Sequence, residues 1–303
     1  MIAAALGYAA VPRSVASWKH GVSYEREFEF PELLLTEGNR ATRHLVANDW
    51  QVRGLRKRGF TRVHAVGAPF LYVGPSGAGR MPGSLLVMPA HSVFNASHAF
   101  DEDGYADLVC SIRDRFSAVV ACIGAASARK GEWTRAFERK GIPWVTGADS
   151  SDRNGLRRMA RIFGTFEYVT TNFLGSHVAY AAHLDCKVSV WGLYAQYRLE
   201  DFKGVPWFQK NWSKLARRTE RWSEEYVRSK HPELFKNPWD AALLREWAEP
   251  FLGIQHKREL PQLAELLGWS PIGQVEVRVH DGAKLCVNVL KAAMRRIRRL
   301  IPA

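Results

Sequence analysis

The chain has 303 residues, enough for one large or two modest domains with buried cores. Its composition, 47% hydrophobic and 24% charged, excludes an intrinsically disordered chain, and it contains no apolar run long enough to span a membrane. The net charge of +13 favours an anionic partner, which would be nucleic acid, an anionic membrane surface or a phosphorylated substrate.

The first residues and the cysteines indicate where the protein works. Residues 1–16 are apolar, but no basic segment precedes them, which argues against a secretory signal. The four cysteines lie far apart and form no CxxC pair, so buried thiols in a reducing compartment are favoured over disulfides or zinc. We therefore expect a cytoplasmic protein.

Residues 1–73 are predicted to form a partial α/β domain. Its predicted elements are a strand that ends in a loop over 15–21, a helix over 41–58 and a strand over 63–67. A Gly/Pro-rich linker over 74–83 follows the domain. In the helix, Val46, Trp50 and Leu55 would share one side, and Gly59 would end it.

Residues 84–192 show a regular alternation of apolar strands and amphipathic helices. The predicted strands are Ser84–Pro89, Ala118–Ile123, Ile142–Thr146, Phe166–Thr170 and Val188–Trp191. The predicted helices between them lie near 104–116, 128–140, 154–163 and 176–183. This pattern predicts an α/β fold with a parallel, Rossmann-type sheet and helices on both faces.

Residues 193–303 predict a helical extension. Tryptophans recur at helical spacing between 200 and 250, a further helix is expected at 260–269, and the alternation over 274–280 predicts a strand. Residues 284–301 predict a basic amphipathic helix. Such a helix either binds an anionic membrane or packs on the core with its arginines in water.

The stretch Glu167–Gly192 carries the strongest functional signal. A buried strand ends in Thr170-Thr171-Asn172, and a helix opens on Gly175-Ser176-His177. A helix start with small residues favours an anion, and in an open α/β sheet it lies at the carboxyl ends of the strands, where ligands bind. These side chains would hold a phosphate or ribose, although Ser176 or Asn172 would serve equally as a simple helix cap.

Other candidate residues also follow predicted strands. His91 would contact a phosphate or act as acid or base, or be a loop histidine bonded to backbone. His20 would face the loop of His91 across a cleft, or only form a turn. Asp149 could bind a ribose hydroxyl. Glu37 is one of several carboxylates between 25 and 37. Either one of them is a catalytic base, or the alternating glutamates simply form the solvent side of a strand.

Taken together, four segments resemble bacterial surface-polysaccharide glycosyltransferases of the two-domain GT-B type. The segments are His20-Gly21, Gly67-Ala-Pro69, Ser84-Leu-Leu-Val-Met-Pro-Ala-His91 and Thr170-Thr-Asn-Phe-Leu-Gly-Ser-His177. The strand-end histidine followed by a Ser/Thr cluster is similar to the nucleotide-binding arrangement of bacterial sialyl- and Kdo-transferases. The resemblance covers roughly residues 15–192. The amino-terminal domain is too short for a full second Rossmann unit, so the acceptor domain would be reduced or supplied by a partner chain.

The resemblance implies transfer of a sugar from a nucleotide-sugar donor, with a CMP-sugar favoured, to a growing surface glycan or lipid-linked acceptor. His91 would contact the donor phosphate or ribose, and Thr170, Thr171 and Ser176 would hold the phosphate. His20 or Glu37 from the first domain would deprotonate the acceptor hydroxyl. No DxD motif of the GT-A kind is present apart from the weak candidate Asp101-x-Asp103, which fits metal-independent transfer without a further cofactor.

Two alternatives remain open. The same scaffold would also suit a polysaccharide pyruvyl transferase or a nucleotide-sugar epimerase. A nucleic-acid-binding protein is disfavoured, because the positive charge is spread through several helices and no nucleic-acid module is recognisable.

Overall fold

The computed structural model describes residues 2–26, 40, 42–91, 100–149, 151–204 and 211–279. They belong to two compact units, one formed from Met1–Tyr72 with Gly253–Ala303 and the other from Val73–Leu252. Glu37 and the predicted basic helix at 284–301 lie outside the described residues. No helix in the described part of the chain is long and apolar enough to cross a membrane.

The first unit is built on a three-stranded parallel sheet with the order β1-β2-β3. Its elements are α1 (Ile2–Ala5), β1 (Ala16–Trp18), β2 (Arg43–Val46), α2 (Asp49–Arg56), β3 (Val63–Ala65) and α11 (Leu260–Leu267), followed by helical residues 271–279. Val46, Val52, Leu55 and Phe60 form its core with the β3 side chains. The predicted strands at 15–21 and 63–67 are confirmed within these bounds.

The single helix predicted over 41–58 is wrong in its first half. Residues 43–46 form the central strand β2, and α2 begins only at Asp49, where the side chain of Asn48 accepts a hydrogen bond from the Gln51 N–H. Leu45 and Val46 point to opposite faces of the sheet, and both are fully buried, so β2 is covered on both faces. A strand buried on both faces shows a continuous apolar run rather than an alternation, and such a run resembles part of a helix.

The strand predicted over 274–280 is also wrong, because residues 271–279 are helical. The helix begins where Ser270 Oγ accepts a hydrogen bond from the Gly273 N–H, at 3.2 Å, with Pro271 directly after the serine. Serine at the cap and proline in the first turn are helix-start signals. They outweigh the apparent alternation of the valines that follow.

The second unit contains a six-stranded sheet with the order β6-β5-β4-β7-β8-β9. Its strands are β4 (Met81–Val87), β5 (Ala118–Ile123), β6 (Trp144–Thr146), β7 (Phe166–Thr171), β8 (Lys187–Val190) and β9 (Ala242–Leu243). Its helices are α3 (Glu102–Ser111), α4 (Ala125–Lys130), α5 (Thr134–Arg139), α6 (Gly155–Thr165), α7 (Ser176–His183), α8 (Trp212–Arg221), α9 (Glu224–Lys230) and α10 (Arg245–Leu252).

Five strands of this sheet are parallel, and β9 pairs antiparallel with β8. Counted from β4, the order is 3-2-1-4-5-6, which is the order of the Rossmann-type sheet. Right-handed crossovers then put α3 to α5 on one face and α6 and α7 on the other. The predicted α/β class with a parallel-dominated sheet is confirmed.

Residues 193–252 belong to this second unit rather than to a separate extension. A boundary at 192 was predicted, but β9 (Ala242–Leu243) pairs with β8 and so extends the sheet. Tyr197, Phe202 and Leu215 form a buried cluster, and Phe173 and Trp222 pack against that cluster. A two-residue edge strand leaves too short a pattern to be recognised in the sequence. The chain crosses to the first unit only at Gly253, whereas the other crossing, after Tyr72, adjoins the predicted linker.

Glu167 ties three strands together near their amino ends. Its carboxylate accepts hydrogen bonds from the Gly83 N–H at 2.6 Å and from Lys187 Nζ at 2.8 Å. The Gly83 N–H, and secondly Lys187, hold the pKa of Glu167 below its ordinary value. The folded state therefore prefers the carboxylate, so this contribution is complete above about pH 4.3, the unfolded value, and is lost as the pH falls through the folded pKa.

We expect Glu167→Gln to reduce the acid sensitivity of the second unit. The measurement is the free energy of unfolding in urea at pH 7 and at pH 3, where the difference between the two should be smaller in the variant than in the wild type. Glu225→Gln, at an exposed position of α9, is the matched control. An unchanged pH difference in Glu167→Gln would contradict the assignment.

Candidate functional site

The candidate site lies where the chain reverses its winding direction across the sheet. β4 and β7 are adjacent, and from β4 the chain proceeds to β5 on one side while from β7 it proceeds to β8 on the other. The loops beyond such a pair separate and leave a crevice at the carboxyl ends of the strands. Residues 88–91 follow β4 and residues 172–177 follow β7, so the structure brings His91, Asn172, Gly175, Ser176 and His177 to the same crevice.

Asn172 holds three of these strand-end loops in place. It is 2% exposed, its Oδ1 accepts a hydrogen bond from the Ala90 N–H at 2.9 Å, and its Nδ2 donates to the Leu193 carbonyl at 3.1 Å. The residue therefore connects the segments that follow β4, β7 and β8. This geometry assigns the predicted ligand-binding amide a positioning role instead.

The two predicted phosphate-binding threonines use their hydroxyls inside the fold. Thr170 is fully buried, and its Oγ1 is hydrogen-bonded to Ser189 Oγ on the neighbouring strand at 2.9 Å. Thr171 is 1% exposed, and its Oγ1 accepts from the Phe173 N–H at 3.2 Å. These bonds stabilise the sheet and the turn after it, so the geometry does not support direct phosphate contacts from either hydroxyl.

Helix α7 opens on a glycine that the neighbouring histidine requires. Gly175 occupies the N-cap position and makes no side-chain cap hydrogen bond. A Cβ at this position would lie 2.8 Å from Nδ1 and from Cε1 of His177, so any larger residue would displace that ring. The positive end of the α7 dipole therefore lies at Ser176, beside the ring of His177.

His177 lies in the first turn of α7, within electrostatic reach of His91. Burial, and secondly the charge of His91, lowers the pKa of His177 to about 3, so His177 is neutral at physiological pH. Its Nε2 is buried and has no hydrogen-bond partner among the described residues. Buried polar atoms are nearly always paired, so an orphaned nitrogen in this position marks a place for a further polar group.

His91 is exposed at the mouth of the crevice. Its carbonyl oxygen accepts a hydrogen bond from the Tyr197 hydroxyl at 2.8 Å, and its Cβ would lie 3.2 Å from a Cβ at Gly124. The main chain of His91 is therefore held by the segment after β8 and passes close to Gly124, after β5. The residue as a whole is exposed.

Asp149 lies apart from this group. It follows β6, which is two strands from β4 at the edge of the sheet. Its carboxylate accepts hydrogen bonds from the Ser151 N–H at 2.9 Å and from Arg129 Nη1 at 2.5 Å. The Ser151 N–H first, and then Arg129, holds the pKa of Asp149 well below its usual range. The predicted ribose contact is not supported by this arrangement, because the carboxylate is already satisfied by Ser151 of its own loop and by Arg129 of α4.

The predicted acceptor-side residues lie in the first unit or outside the described residues. His20 follows β1, and burial, then the neighbouring Lys19, lowers its pKa. A neutral imidazole is the form that accepts a proton. Glu37 is outside the described residues, so its role as a base, like the cleft between His20 and His91, stays a prediction.

An aromatic cluster beside the crevice was not predicted. The Phe173 ring lies 4.6 Å from the Tyr197 ring and 6.4 Å from the Trp222 ring, measured between centroids. It covers the turn between β7 and α7 and fixes the place of Tyr197, which in turn holds His91. The tryptophan spacing revealed the helix that carries Trp222, but not the distant loop on which it packs.

The arrangement can bind an anion at the α7 amino end and offer it hydrogen bonds from one exposed and one buried imidazole. This capacity rests on the geometry of the chain itself. No protein-family model, curated protein or solved structure matches the chain.

Proposed function

We propose that the protein is a glycosyltransferase that binds a nucleotide-sugar, with a CMP-sugar favoured, in the crevice between β4 and β7. The observation that carries the proposal is the position of His91 and of the amino end of α7. Both follow the carboxyl ends of the adjacent strands β4 and β7, where the sheet reverses its winding. Crevices of this kind bind nucleotides in Rossmann-type sheets, and helix amino ends bind their phosphates.

The chemistry of glycosyl transfer explains why such a pair would be useful. The bond from the sugar to the phosphate oxygen breaks, and negative charge accumulates on the departing phosphate. A helix dipole and an imidazole N–H aimed at that oxygen stabilise the charge in the transition state without a metal ion. His177, neutral and buried, contributes an orphaned nitrogen to the same place.

The proposal also requires a base for the acceptor hydroxyl. His20, in its neutral form, or Glu37 would remove the proton from the acceptor hydroxyl as that oxygen attacks the sugar carbon. The basic segment 284–301 would hold the enzyme at an anionic membrane surface, where a lipid-linked glycan is built.

We expect CMP to stabilise the second unit through His91 and Ser176. At about 100 times its dissociation constant, CMP should add about 2.7 kcal/mol, which raises Tm by about 5–10 °C for a unit of this size. His91→Ala and Ser176→Ala should weaken CMP binding about tenfold, because each removes a hydrogen bond to a charged phosphate. The measurement is the Tm of each variant over a series of CMP concentrations.

Ser111→Ala is the matched control, since Ser111 lies on α3 with its hydroxyl bonded to the Leu108 carbonyl. The same scan includes UDP, GDP, dTDP, NAD and a short oligonucleotide. A response to UDP or GDP would keep the transferase and change the donor, and a response to NAD would favour an epimerase. If only the oligonucleotide raises Tm, the proposal is wrong.

A further inference from the structure

A cavity of about 610 Å³ opens at the carboxyl end of β8, entirely within the second unit. Pockets for small ligands commonly measure about 300–1,000 Å³. Its walls come from the segment after β8, from α9 and from the turns after α9. The side chains that matter here are Trp191, Tyr194, Glu224, Arg228, Phe235 and Asp240.

One wall of the cavity combines aromatic rings with a fixed arginine. The rings of Tyr194 and Phe235 are stacked, with centroids 6.3 Å apart and planes inclined by 26°. The Arg228 guanidinium carbon lies 4.0 Å from the Phe235 ring centroid, and Arg228 Nη2 donates to Glu224 Oε1 at 2.5 Å. The guanidinium is thus held by a ring and a carboxylate, so little entropy is lost when its other N–H groups bind a ligand.

The charges of the lining cancel. The lining contains two negative side chains, Glu224 and Asp240, and two positive ones, Arg228 and Lys236. It also contains the neutral amide of Asn237. A site for phosphate would carry a net positive charge, as the crevice at α7 does through its helix dipole. A lining that offers donors and acceptors in equal measure fits a neutral ligand whose groups both donate and accept, and hydroxyl groups do both.

The cavity adjoins the crevice of the proposed donor. The Trp191 N–H donates to the Thr171 carbonyl at 2.8 Å, and Asn172 Nδ2 donates to the Leu193 carbonyl at 3.1 Å. The segment that forms one wall of the cavity is therefore bonded directly to the loop that opens the crevice. β8 and β7 are neighbouring strands, and such strands lie about 4.8 Å apart.

We infer that this cavity binds a neutral saccharide, the acceptor end of the glycan that the proposed transferase extends. The aromatic wall would contact the C–H face of a sugar ring, and the arginine, the carboxylates and the amide would bind its hydroxyls. That the saccharide is an acceptor rests on the proposed function, whereas the inference that a saccharide binds rests on the cavity alone.

The test is saturation-transfer difference NMR on the full chain with a panel of neutral disaccharides: lactose, maltose, cellobiose and diacetylchitobiose. We expect at least one of them to give a signal with the wild type. Arg228→Met, which keeps contact with the Phe235 ring, and Asp240→Asn, which keeps the shape, should each weaken its binding about tenfold. Asp103→Asn, at an exposed carboxylate of α3 paired with Arg139, is the control and should bind as the wild type does.

The outcomes separate the two proposals. The absence of any disaccharide signal with the wild type, unchanged binding in both cavity variants, or displacement of the sugar by pyrophosphate would overturn the saccharide site. CMP stabilisation, measured on the same variants, should be unchanged in Arg228→Met and Asp240→Asn and reduced in His91→Ala. Saccharide binding without a response to any nucleotide would leave the cavity assigned and refute the transferase.

Discussion

Asn172→Ala is expected to lower the free energy of unfolding of the second unit by about 2–5 kcal/mol and to abolish nucleotide binding. The substitution leaves the Ala90 N–H and the Leu193 carbonyl without the partners they have at 2.9 and 3.1 Å. Each unsatisfied buried group costs about 1–3 kcal/mol. The loops that carry His91 and wall the cavity after β8 would lose their common anchor.

The measurement is thermal and urea unfolding followed by circular dichroism, together with CMP binding. A loss of this size lowers Tm by about 5–15 °C in a unit of this length. Asn154→Ala is the matched control, because Asn154 is exposed and makes no cap hydrogen bond at the start of α6, and it should change stability by less than about 0.5 kcal/mol. A similar small change in Asn172→Ala would show that the loops are held by other contacts.

Gly253→Ala is expected to destabilise the first unit by about 4 kcal/mol or more. Gly253 has a φ of +67°, and a Cβ there would lie 1.9 Å from the Ala47 carbonyl oxygen. Ala47 is buried directly after the central strand β2, and its carbonyl also accepts the Gly67 N–H at 3.1 Å. The main chain at Ala47 therefore cannot move aside without breaking the pairing around it.

Gly7→Ala separates the clash from the backbone strain. Gly7 belongs to the same unit and has a φ of +76°, but a Cβ there would meet nothing within 4 Å. Its substitution should cost only the left-handed strain, about 1–2 kcal/mol. The measurement is urea unfolding of the two variants side by side, and equal losses would refute the predicted collision with Ala47.

The sequence was sufficient for the five parallel strands of the second unit because each is a short, mostly apolar run. The run Ala118–Ile123 matches β5 at both ends, and the alternation with helices led directly to a parallel sheet. The strand β2 was missed because burial on both faces erased its alternation. The helix after Ser270 was missed because Val275, Val277 and Val279 alternate as in a strand, although the Ser-Pro pair before them is a helix start.

The sequence places His91, Gly175, Ser176 and His177 directly after predicted strands, and the structure has them after β4 and β7. Their role in a ligand site stays a prediction. Whether the Thr170 hydroxyl is available to a ligand depends on the residue that pairs with it in the next strand. That residue is Ser189 of β8, whose hydroxyl is hydrogen-bonded to the hydroxyl of Thr170. Register between strands depends on the whole sheet and cannot be deduced from one segment.

The discontinuous first unit has a consequence for how the protein is made. The Val15 N–H donates to the Leu267 carbonyl, and Trp269 Nε1 donates to Ser14 Oγ, so these early residues acquire their native partners only after the whole second unit has been translated. The second unit is continuous from Val73 to Leu252 and can fold on the ribosome as soon as it emerges. At about 5–20 residues per second, the early segment waits roughly 10–40 s for this stretch to be synthesised. Throughout that interval its three-stranded sheet lacks the contacts from Leu260–Leu267 and Trp269, so yield in the cell should depend on the speed of translation through the second unit.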